Sequence, residues 1–191
     1  MRLDVLVACE SSGIVREAFN ALGHNAWSAD LLPADDGSER HFQMDVVELL
    51  RHTTWDIVIA HPPCTYLCVA GNRWHAGSEE REQAVAWTVE LAELMSRRAR
   101  IGWAIENPVG VLSTQWKKAT QYIQPWQFGH GETKKTGLWL DGLPPLTPTD
   151  VVDGREQRIW KMGPSPDRWK ERSKTFAGIG AAMAAQWGGQ V

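Results

Sequence analysis

The order in which apolar runs and amphipathic segments follow one another along the first 110 residues constrains the fold of this chain most strongly. Short apolar runs predict buried strands, and segments with apolar residues three or four positions apart predict helices. Four strands are predicted, at residues 3–8, 25–30, 55–60 and 101–106. Three helices are predicted between them, at residues 13–24, 45–52 and 78 to about 100. This alternation predicts an α/β fold with a doubly wound, mostly parallel sheet and helices on both faces.

Capping residues and apolar spacing define the predicted helices further. Val15, Phe19 and Leu22 would share the buried face of the first helix, and Gly23 would end it. Ser78 is the predicted N-cap of the longest helix, where its hydroxyl would accept a hydrogen bond from the first turn.

The composition is that of one domain of ordinary size. The 191 residues are 43% hydrophobic and 23% charged, which is enough for a single core, so we expect residues 1–191 to form one domain. No apolar segment approaches the ~20 residues needed to span a bilayer, and the N-terminus turns acidic too early for a secretory leader. We therefore expect a soluble, cytoplasmic monomer with no membrane partner.

Three cysteines, Cys9, Cys64 and Cys68, are too few and too unevenly placed for a disulfide framework. The six histidines do not fall into paired metal-ligand spacings with them, so no metal site is predicted. Cys64 stands in the stretch "HPPCTYL", directly after the predicted strand at residues 55–60. A buried small hydrophobe and a nucleophile both remain open for this cysteine.

Charge is unevenly distributed along the chain, although the formal net charge is only −3. Residues 1–60 hold four Lys/Arg against ten Asp/Glu, whereas residues 97–174 hold fourteen against eight. A basic excess of this kind is typical of an anion-binding surface or of an ordinary solvated face, and charge alone does not separate the two.

Polar or reactive side chains follow all four predicted strands. Ligands of a doubly wound sheet bind at the carboxyl ends of its strands. The four strands are followed by a turn of small residues, an acid, a cysteine and an acid-amide pair. In order these are "ACESSG" (8–13), Asp30, "HPPC" (61–64) and "ENP" (106–108). Their convergence at one edge of the sheet predicts a binding or catalytic site there.

The turn and two acids are candidate ligand contacts, and the turn and Asp45 each have a second interpretation. The turn before Gly13 lets backbone amides approach a ligand, or it is a plain connection from strand to helix. Asp30 is placed where a doubly wound fold binds the two hydroxyls of a ribose. Asp45 is able to accept a hydrogen bond from an adenine amine, or it caps the helix at residues 45–52.

The order of these motifs resembles that of the DNA cytosine methyltransferases that act on carbon 5 and use S-adenosylmethionine. The Pro-Pro-Cys loop of that family appears here as Pro62, Pro63 and Cys64, and its Glu-Asn pair appears as Glu106 and Asn107. "FGHGETKKTGLWL" (128–140) is similar to its Phe-Gly segment and following basic motif, and "SKTFAGIGAAMAAQW" (173–187) is similar to its closing segment. The resemblance implies a Rossmann-like class I methyltransferase fold.

The resemblance also implies roles for individual residues. Cys64 would add as a thiolate to carbon 6 of cytosine, and Glu106 would hold the ring at nitrogen 3 and its amino group. Asn107 and Lys134 would complete the catalytic set, with Lys134 in the place of a family arginine. The residues implied to bind S-adenosylmethionine are Glu10, Ser11, Ser12, Gly13, Asp30, Asp45 and Pro62.

The chain departs from the family in its glycine-rich turn, in its closing segment, which has Ala181 where the family has Asn, and in its target-recognition region. Its glycine-rich turn is reduced to "CESSG", and only a small basic insertion at about residues 141–172 stands where the family carries a target-recognition domain. The insertion predicts DNA binding with short or relaxed sequence specificity, as in compact phage-borne members acting in the host cytoplasm. Its predicted nucleic-acid contacts are Arg155, Arg158, Trp160, Lys161, Arg168 and Lys170. Trp160 and Trp169 would stack on a base or pin the insertion to the body.

The sequence therefore favours transfer of a methyl group from S-adenosylmethionine to carbon 5 of cytosine in DNA. Two alternatives remain. The first is the same chemistry on a free deoxycytidine nucleotide, which would account for the missing recognition domain. The second is a non-catalytic protein that binds nucleic acid or S-adenosylmethionine on a methyltransferase fold, as the reduced glycine turn suggests.

Overall fold

A computed structural model describes residues 1–166 and 168–189; of Trp169 it describes the backbone only, so that the predicted contacts of its side chain lie outside the described residues. The strands in this part of the chain are β1 (Asp4–Ala8), β2 (Asn25–Asp30), β3 (His41–Gln43), β4 (Trp55–Ala60), β5 (Ala99–Pro108), β6 (Gln121–Ile123) and β7 (Thr136–Asp141). The α-helices are α1 (Ile14–Ala21), α2 (Val46–His52), α3 (Asn72–His75), α4 (Glu79–Arg98), α5 (Leu112–Gln115), α6 (Arg158–Lys161), α7 (Arg168–Ser173) and α8 (Ala177–Gly188). Short 3₁₀ helices cover Val69–Gly71 and Pro125–Gln127. None of the described helices is long and apolar enough to cross a membrane.

The strands form one sheet in the order β3-β2-β1-β4-β5-β7-β6. The pairs β1 with β2, β1 with β4, β2 with β3 and β4 with β5 are parallel, whereas β7 runs antiparallel to both β5 and β6. Chain order reverses between β1 and β4, and the crevice at such a switch point is where doubly wound folds bind ligands. The predicted fold class, a mostly parallel doubly wound sheet, is confirmed.

Hydrophobic side chains of the central strands alternate between two clusters, one on each face of the sheet. Val5 of β1 packs with Phe19 of α1 and Trp187 of α8, whereas the next residue, Leu6, packs with Leu91 of α4 on the opposite face. All five side chains are at most 1% exposed. Each such burial contributes about 1.5–3 kcal/mol, so the helices on both faces hold the strand ends in fixed positions.

The predicted bounds of β2 and β4 agree with the structure, but two helices are shorter than predicted. The first ends at Ala21, because the chain turns at Gly23 with a φ of 86°, and Leu22 is 55% exposed rather than buried. The prediction for Leu22 is therefore wrong. The longest helix ends at Arg98, because Ala99 already pairs with Trp55 in the sheet. Ser78 caps this helix, as predicted, by accepting a hydrogen bond from the backbone of its first turn.

The insertion after β7 has little regular structure. Residues 142–157 form no helix or strand, and this stretch meets the body through backbone bridges to Phe128 and Glu132. The short helices α6 and α7 follow, and Ile159 of α6 is 7% exposed. This apolar contact fixes α6 against the cleft described below.

We predict that Asp45 stabilises α2 as its N-cap. Its Oδ1 accepts hydrogen bonds from the backbone of Val47 at 2.7 Å and of Glu48 at 3.3 Å. Asp45→Ala should therefore lower the free energy of unfolding by about 1 kcal/mol, measured by urea denaturation, whereas Asp45→Asn should keep most of it because Asn caps equally well. Equal losses in both variants would contradict this role.

Candidate functional site

The carboxyl ends of β1, β2, β4 and β5 open into one cleft of about 960 Å³. Its volume is that of a site for a cofactor or a drug-sized ligand. The predicted site residues that line it are Glu10, Ser11, Ser12, Asp30, Pro62, Cys64, Glu106, Asn107, Lys134, Trp160 and Lys170. The predicted site residues that do not line it are Gly13, Asp45, Arg155, Arg158, Lys161 and Arg168.

The loop that carries Cys64 is fixed from two sides. At its start, Asn107 Nδ2 donates a hydrogen bond of 2.7 Å to the carbonyl of Pro62. Beyond Cys64, the guanidinium of Arg81 from α4 donates to the carbonyl of Tyr66 at 2.7 Å and to Asn72 Oδ1 at 2.8 Å. Both Asn107 and Arg81 are almost fully buried, at 1% and 4% exposure. The position of the Cys64 sulfur therefore depends on contacts with β5 and α4.

Cys64 and Cys68 lie four residues apart in one turn of the chain, and both residues line the cleft. The backbone N–H of Cys68 donates to the carbonyl of Cys64 at 3.0 Å, which places the two thiols near each other. The interaction between the two thiols, together with burial, raises the pKa of Cys64, and the same interaction lowers the pKa of Cys68.

Glu106, at the end of β5, is paired with His61. His61 Nδ1 lies 3.0 Å from Glu106 Oε2, and the two side chains are 9% and 10% exposed. Burial raises the pKa of Glu106, but the hydrogen bonds from His61 and Thr136 and the charge of Lys134 outweigh burial and hold this pKa below its usual range. His61 Nε2 is buried and has no partner among the described residues.

Lys134 brings a positive charge close to Cys64 and to Glu106. It stands just before β7, where its backbone N–H donates to Gln124 Oε1 at 3.0 Å and its Nζ to the carbonyl of Lys174 at 3.4 Å. Its charge lowers the pKa values of Cys64 and of Glu106. A thiol, a carboxylate and an ammonium thus converge where β4, β5 and β7 lie side by side.

At the other end of the cleft, Glu10 caps α1 from a distance. Its Oε1 accepts from the backbone of Val15 at 2.8 Å and its Oε2 from that of Arg16 at 3.3 Å. Burial raises the pKa of Glu10, and the charge of His61 and these hydrogen bonds lower it in part. Gly13, with a φ of 72°, begins the helix, and a side chain there would collide with the Arg16 guanidinium. The N-terminal amides of α1 are therefore satisfied by the chain itself.

The two predicted acids of this end differ in position. Asp30 lies at the mouth of the cleft, where its Oδ1 accepts from the backbone of Leu32 at 2.9 Å. Asp45 caps α2 and does not line the cleft. Burial, followed by the charges of Asp30 and Asp45, raises the pKa of Cys9, whose φ of 57° lies in the left-handed region.

The basic segment contributes one aromatic side chain to the rim of the cleft. Trp160 lines it and is 66% exposed, so the interpretation that Trp160 pins the segment to the body is wrong. Its neighbour Ile159 is buried and does so instead. Three of the predicted basic residues contact protein groups: Arg155 lies over Trp126, Arg158 pairs with Glu132 at 2.9 Å, and Lys170 pairs with Asp35 at 2.7 Å.

Sequence reasoning missed several residues of the cleft. His61 carried a signal, since it opens the motif "HPPC" at a strand end, and Cys68 carried another, since it follows Cys64 by four residues. Thr175, whose Oγ1 lies 3.5 Å from His61 Nδ1, and Arg172 come from distant parts of the chain. No local pattern indicates that these last two meet the strand ends.

Comparisons with known proteins bear on the fold. No protein-family model matches the chain, and no curated protein does. A solved structure described as a DNA modification methyltransferase encoded within an E. coli prophage is similar, with a TM-score of 0.54, 15% identity and 78% of this chain covered. This chain spans 52% of that one, and at such an identity the likeness shows the fold alone.

Two further solved structures show weaker likeness. A methyltransferase from Neisseria gonorrhoeae that depends on S-adenosylmethionine has a TM-score of 0.40 and 15% identity, over 72% of this chain and 61% of that one. A Thermoplasma acidophilum protein has a TM-score of 0.43 and 13% identity, over 72% of this chain and 77% of that one. Neither score is high enough to carry an argument.

We predict that the carboxylate of Glu106 stabilises the folded chain in a pH-dependent way. Because its pKa lies below the ordinary value of about 4.3, this contribution is fully present above about pH 5 and is lost as the pH falls through the lower, folded pKa. The free energy of unfolding of the wild type should therefore exceed that of Glu106→Gln most clearly near neutral pH. Urea denaturation from neutral to acidic pH measures the difference between the two free energies. A difference that widens toward acidic pH would contradict the pairing of Glu106 with His61.

Proposed function

We propose that this chain transfers a methyl group from S-adenosylmethionine to carbon 5 of cytosine in DNA through a covalent adduct of Cys64. One observation carries the proposal: Cys64, Glu106 and Lys134 converge at neighbouring strand ends in one cleft. The fold shared with a prophage structure described as a DNA modification methyltransferase supports it. We further propose that residues 1–191 act as one domain in which the small basic insertion takes the place of a larger recognition domain.

The cleft has features that suit S-adenosylmethionine at its β1 and β2 end. Asp30 presents a carboxylate where ribose hydroxyls would bind, and Pro62 and Ser11 line the crevice between β1 and β4. His61 Nε2 is a buried polar atom that has no partner among the described residues and so is available to a ligand. When bound, S-adenosylmethionine supplies an electrophilic methyl group.

Because Glu10 already accepts hydrogen bonds from the first amides of α1, the turn after β1 would contact a ligand through other groups. Since Glu10 accepts the amides of Val15 and Arg16, contacts with a ligand would come from Ser11, Ser12 and the backbone before them. Gly13 and Asp45 would act indirectly, by fixing the starts of α1 and α2. This arrangement accounts for a turn without the usual glycines.

Carbon 5 of cytosine is a weak nucleophile, and the proposed role of Cys64 follows from that weakness. Addition of the Cys64 thiolate to carbon 6 places electron density on carbon 5, which then attacks the methyl group. Loss of the carbon 5 proton and elimination of the Cys64 thiolate restore the ring. Asn107 holds the loop through Pro62, so the sulfur keeps its angle to the base during both steps.

Glu106 and His61 would deliver the proton that nitrogen 3 of cytosine requires when Cys64 adds to carbon 6. A carboxylate beside nitrogen 3 and the amino group accepts one hydrogen bond and must deliver one proton. Because Glu106 is held in its charged form, that proton would come from the doubly protonated form of His61, whose Nδ1 lies 3.0 Å from Glu106 Oε2, and a neutral imidazole would remain. Lys134 would offset the negative charge of Glu106 beside the attacking sulfur.

The basic insertion would bind the DNA without extensive base readout. Arg155, Arg158, Lys161, Arg168 and Lys170 are the proposed phosphate contacts, which are independent of sequence. A cytosine must leave the duplex to reach Cys64, at a cost of a few kcal/mol. Stacking on the exposed Trp160 at the rim would offset about 1–3 kcal/mol of this cost.

One observation favours a free deoxycytidine nucleotide as a second candidate substrate. Lys170 of α7 and Asp35 of the loop after β2 both line the cleft, and their side chains pair at 2.7 Å. This ion pair joins two walls of the cleft. A wall closed in this way suits a small nucleotide better than a polymer.

The proposed activity predicts 5-methylcytosine in duplex DNA after incubation with the protein and S-adenosylmethionine. Nucleoside mass spectrometry should detect it with the wild-type protein and not with Cys64→Ala, because Ala has no sulfur to add to carbon 6. Calorimetric titration with S-adenosylmethionine checks that Cys64→Ala keeps the donor site. Transfer to cytosine by Cys64→Ala would contradict the covalent mechanism.

A parallel incubation with deoxycytidine monophosphate separates the two candidate substrates. Methylation of the free nucleotide alone, without DNA binding that weakens with salt, would favour the second candidate. Binding of S-adenosylmethionine without transfer to either substrate would point to a non-catalytic protein. Failure to bind S-adenosylmethionine would contradict both enzyme activities.

A further inference from the structure

Helix α7 spans the mouth of the cleft from one wall to the other. Near its start, Lys170 Nζ pairs with Asp35 Oδ1 at 2.7 Å, in the loop after β2. Directly after its end, the carbonyl of Lys174 accepts a hydrogen bond of 3.4 Å from Lys134 Nζ, in the segment before β7. Arg172 stands between these two anchors, and it is half-buried and lines the cleft.

The guanidinium of Arg172 is available to a ligand. Among residues 1–166 and 168–189, this side chain has no hydrogen bond or ion pair. The carboxylates around it are occupied, since Glu171 pairs with Lys174 at 2.8 Å and Glu106 with His61 at 3.0 Å. A guanidinium has five N–H donors and a permanent charge, so its place at the cleft suits an anionic group.

Arg172 lies toward the end of the cleft that holds Cys64. Three residues further along the chain, Thr175 Oγ1 lies 3.5 Å from His61 Nδ1. The interaction with Cys64 and, with a smaller effect, the charge of Arg172 lower the pKa of Cys68. A ligand that contacts Arg172 is therefore also within reach of the proposed nucleophile.

A pyrimidine that reaches Cys64 must enter the cleft with its base first. Glu106, which is proposed to contact the ring, is buried, whereas Glu171 and Ser173 of α7 are exposed. The sugar of the same nucleotide and its phosphate groups would therefore remain near the mouth, at the level of α7.

We propose that Arg172 binds a phosphate group of the nucleotide whose cytosine reaches Cys64, and that this contact positions the base for attack. The inference rests on the proposed function and names the part of the substrate that α7 recognises. A guanidinium suits phosphate because its planar fork donates two parallel hydrogen bonds. Both candidate substrates, deoxycytidine monophosphate and DNA, carry such a phosphate.

This role differs from that of the phosphate contacts proposed for the insertion. Arg155, Arg158, Lys161 and Arg168 do not line the cleft, so they would contact phosphates of flanking nucleotides. Loss of one of them should weaken DNA binding and leave the binding of a single nucleotide unchanged. Loss of Arg172 should weaken the binding of any substrate that has a phosphate on the target nucleotide.

Calorimetric titration with deoxycytidine monophosphate and with deoxycytidine isolates the phosphate contact. S-adenosylhomocysteine, which carries no methyl group to transfer, fills the donor site during the titration. The wild type should bind the monophosphate roughly tenfold more tightly than the nucleoside, a difference of about 1.4 kcal/mol. Arg172→Ala should bind both with the affinity of the wild type for the nucleoside. Arg172→Lys should keep part of the difference, because Lys retains the charge and lacks the fork.

Arg97→Ala is the matched control, since Arg97 is an exposed arginine of α4 that does not line the cleft. It should keep the full preference for the monophosphate. A preference that persists in Arg172→Ala would overturn the proposal. A loss of affinity of Arg172→Ala for S-adenosylhomocysteine in place of the monophosphate would also overturn it, because Arg172 would then contact the carboxylate of the donor.

A duplex with a single cytosine tests whether DNA supplies the phosphate. One phosphate next to this cytosine, on its 5′ or 3′ side, is replaced by a neutral methylphosphonate, and fluorescence anisotropy measures Kd. The replacement should weaken wild-type binding roughly tenfold and Arg172→Ala not at all, whereas a replacement several nucleotides away should affect both proteins equally. An Arg172-dependent effect on the duplex identifies DNA as the source, and one on the monophosphate alone identifies a free nucleotide. No such effect on either ligand would overturn the proposal.

Both experiments measure binding and require no methyl transfer. Binding that depends on phosphate and on Arg172, in a protein that methylates neither substrate, would contradict the proposed function and not the phosphate contact. Methylation by Arg172→Ala with the KM of the wild type would contradict the phosphate contact and not the proposed function.

Discussion

The parallel pairing of β4 with β5 is the constraint on which the candidate site depends. It aligns Ala60 with Ile105, so that the residues that follow each strand, His61 and Glu106, lie side by side within hydrogen-bond distance. One residue further on, Asn107 reaches back to hold the carbonyl of Pro62. The next turn of the chain then presents Cys64 to the same cleft. Because both strands are buried on two faces, these contacts cannot drift without disturbing the core.

Around this junction the chain assembles a balanced set of charges. Lys134 comes from the segment before β7 and Arg172 from α7, while Glu106 supplies negative charge. Burial alone would favour the neutral carboxyl of Glu106, and its contacts with His61 and Lys134 favour the charged form. The insertion after β7 has too little regular structure to form a recognition domain, yet it places Trp160 and Arg172 at the cleft. A small chain can thus combine a reactive site with a modest binding surface.

Much of this architecture follows from local patterns in the sequence. The apolar runs at β2 and β4 are bounded by polar residues on both sides, so their ends could be predicted to the residue. Ligands bind at the carboxyl ends of parallel strands, and this rule predicts from the sequence alone that Cys64 and Glu106 lie close together. The strands β3 and β6 have three residues each, too few for a period to be recognised.

Other features depend on contacts between distant segments. The capping of α1 by Glu10 has no signature in the spacing, because its carboxylate reaches the amides of residues five and six positions ahead. Leu22 fits the helical period but follows the last turn of the helix, and of the neighbours Ile159 and Trp160 it is Ile159 that is buried. Tertiary packing determines these features, and the local pattern does not indicate them.

Covalent trapping on a duplex that contains 5-fluorocytosine tests directly whether Cys64 attacks cytosine. Fluorine at carbon 5 cannot leave as a proton does, so a Cys64 adduct formed in the presence of S-adenosylmethionine would persist through denaturation. We expect one DNA strand bound per protein chain by intact mass, with the attachment mapped to the peptide that contains Cys64 and absent from Cys64→Ala. An attachment at Cys68 or Cys9, or no adduct in a protein that binds both S-adenosylmethionine and the duplex, would contradict it.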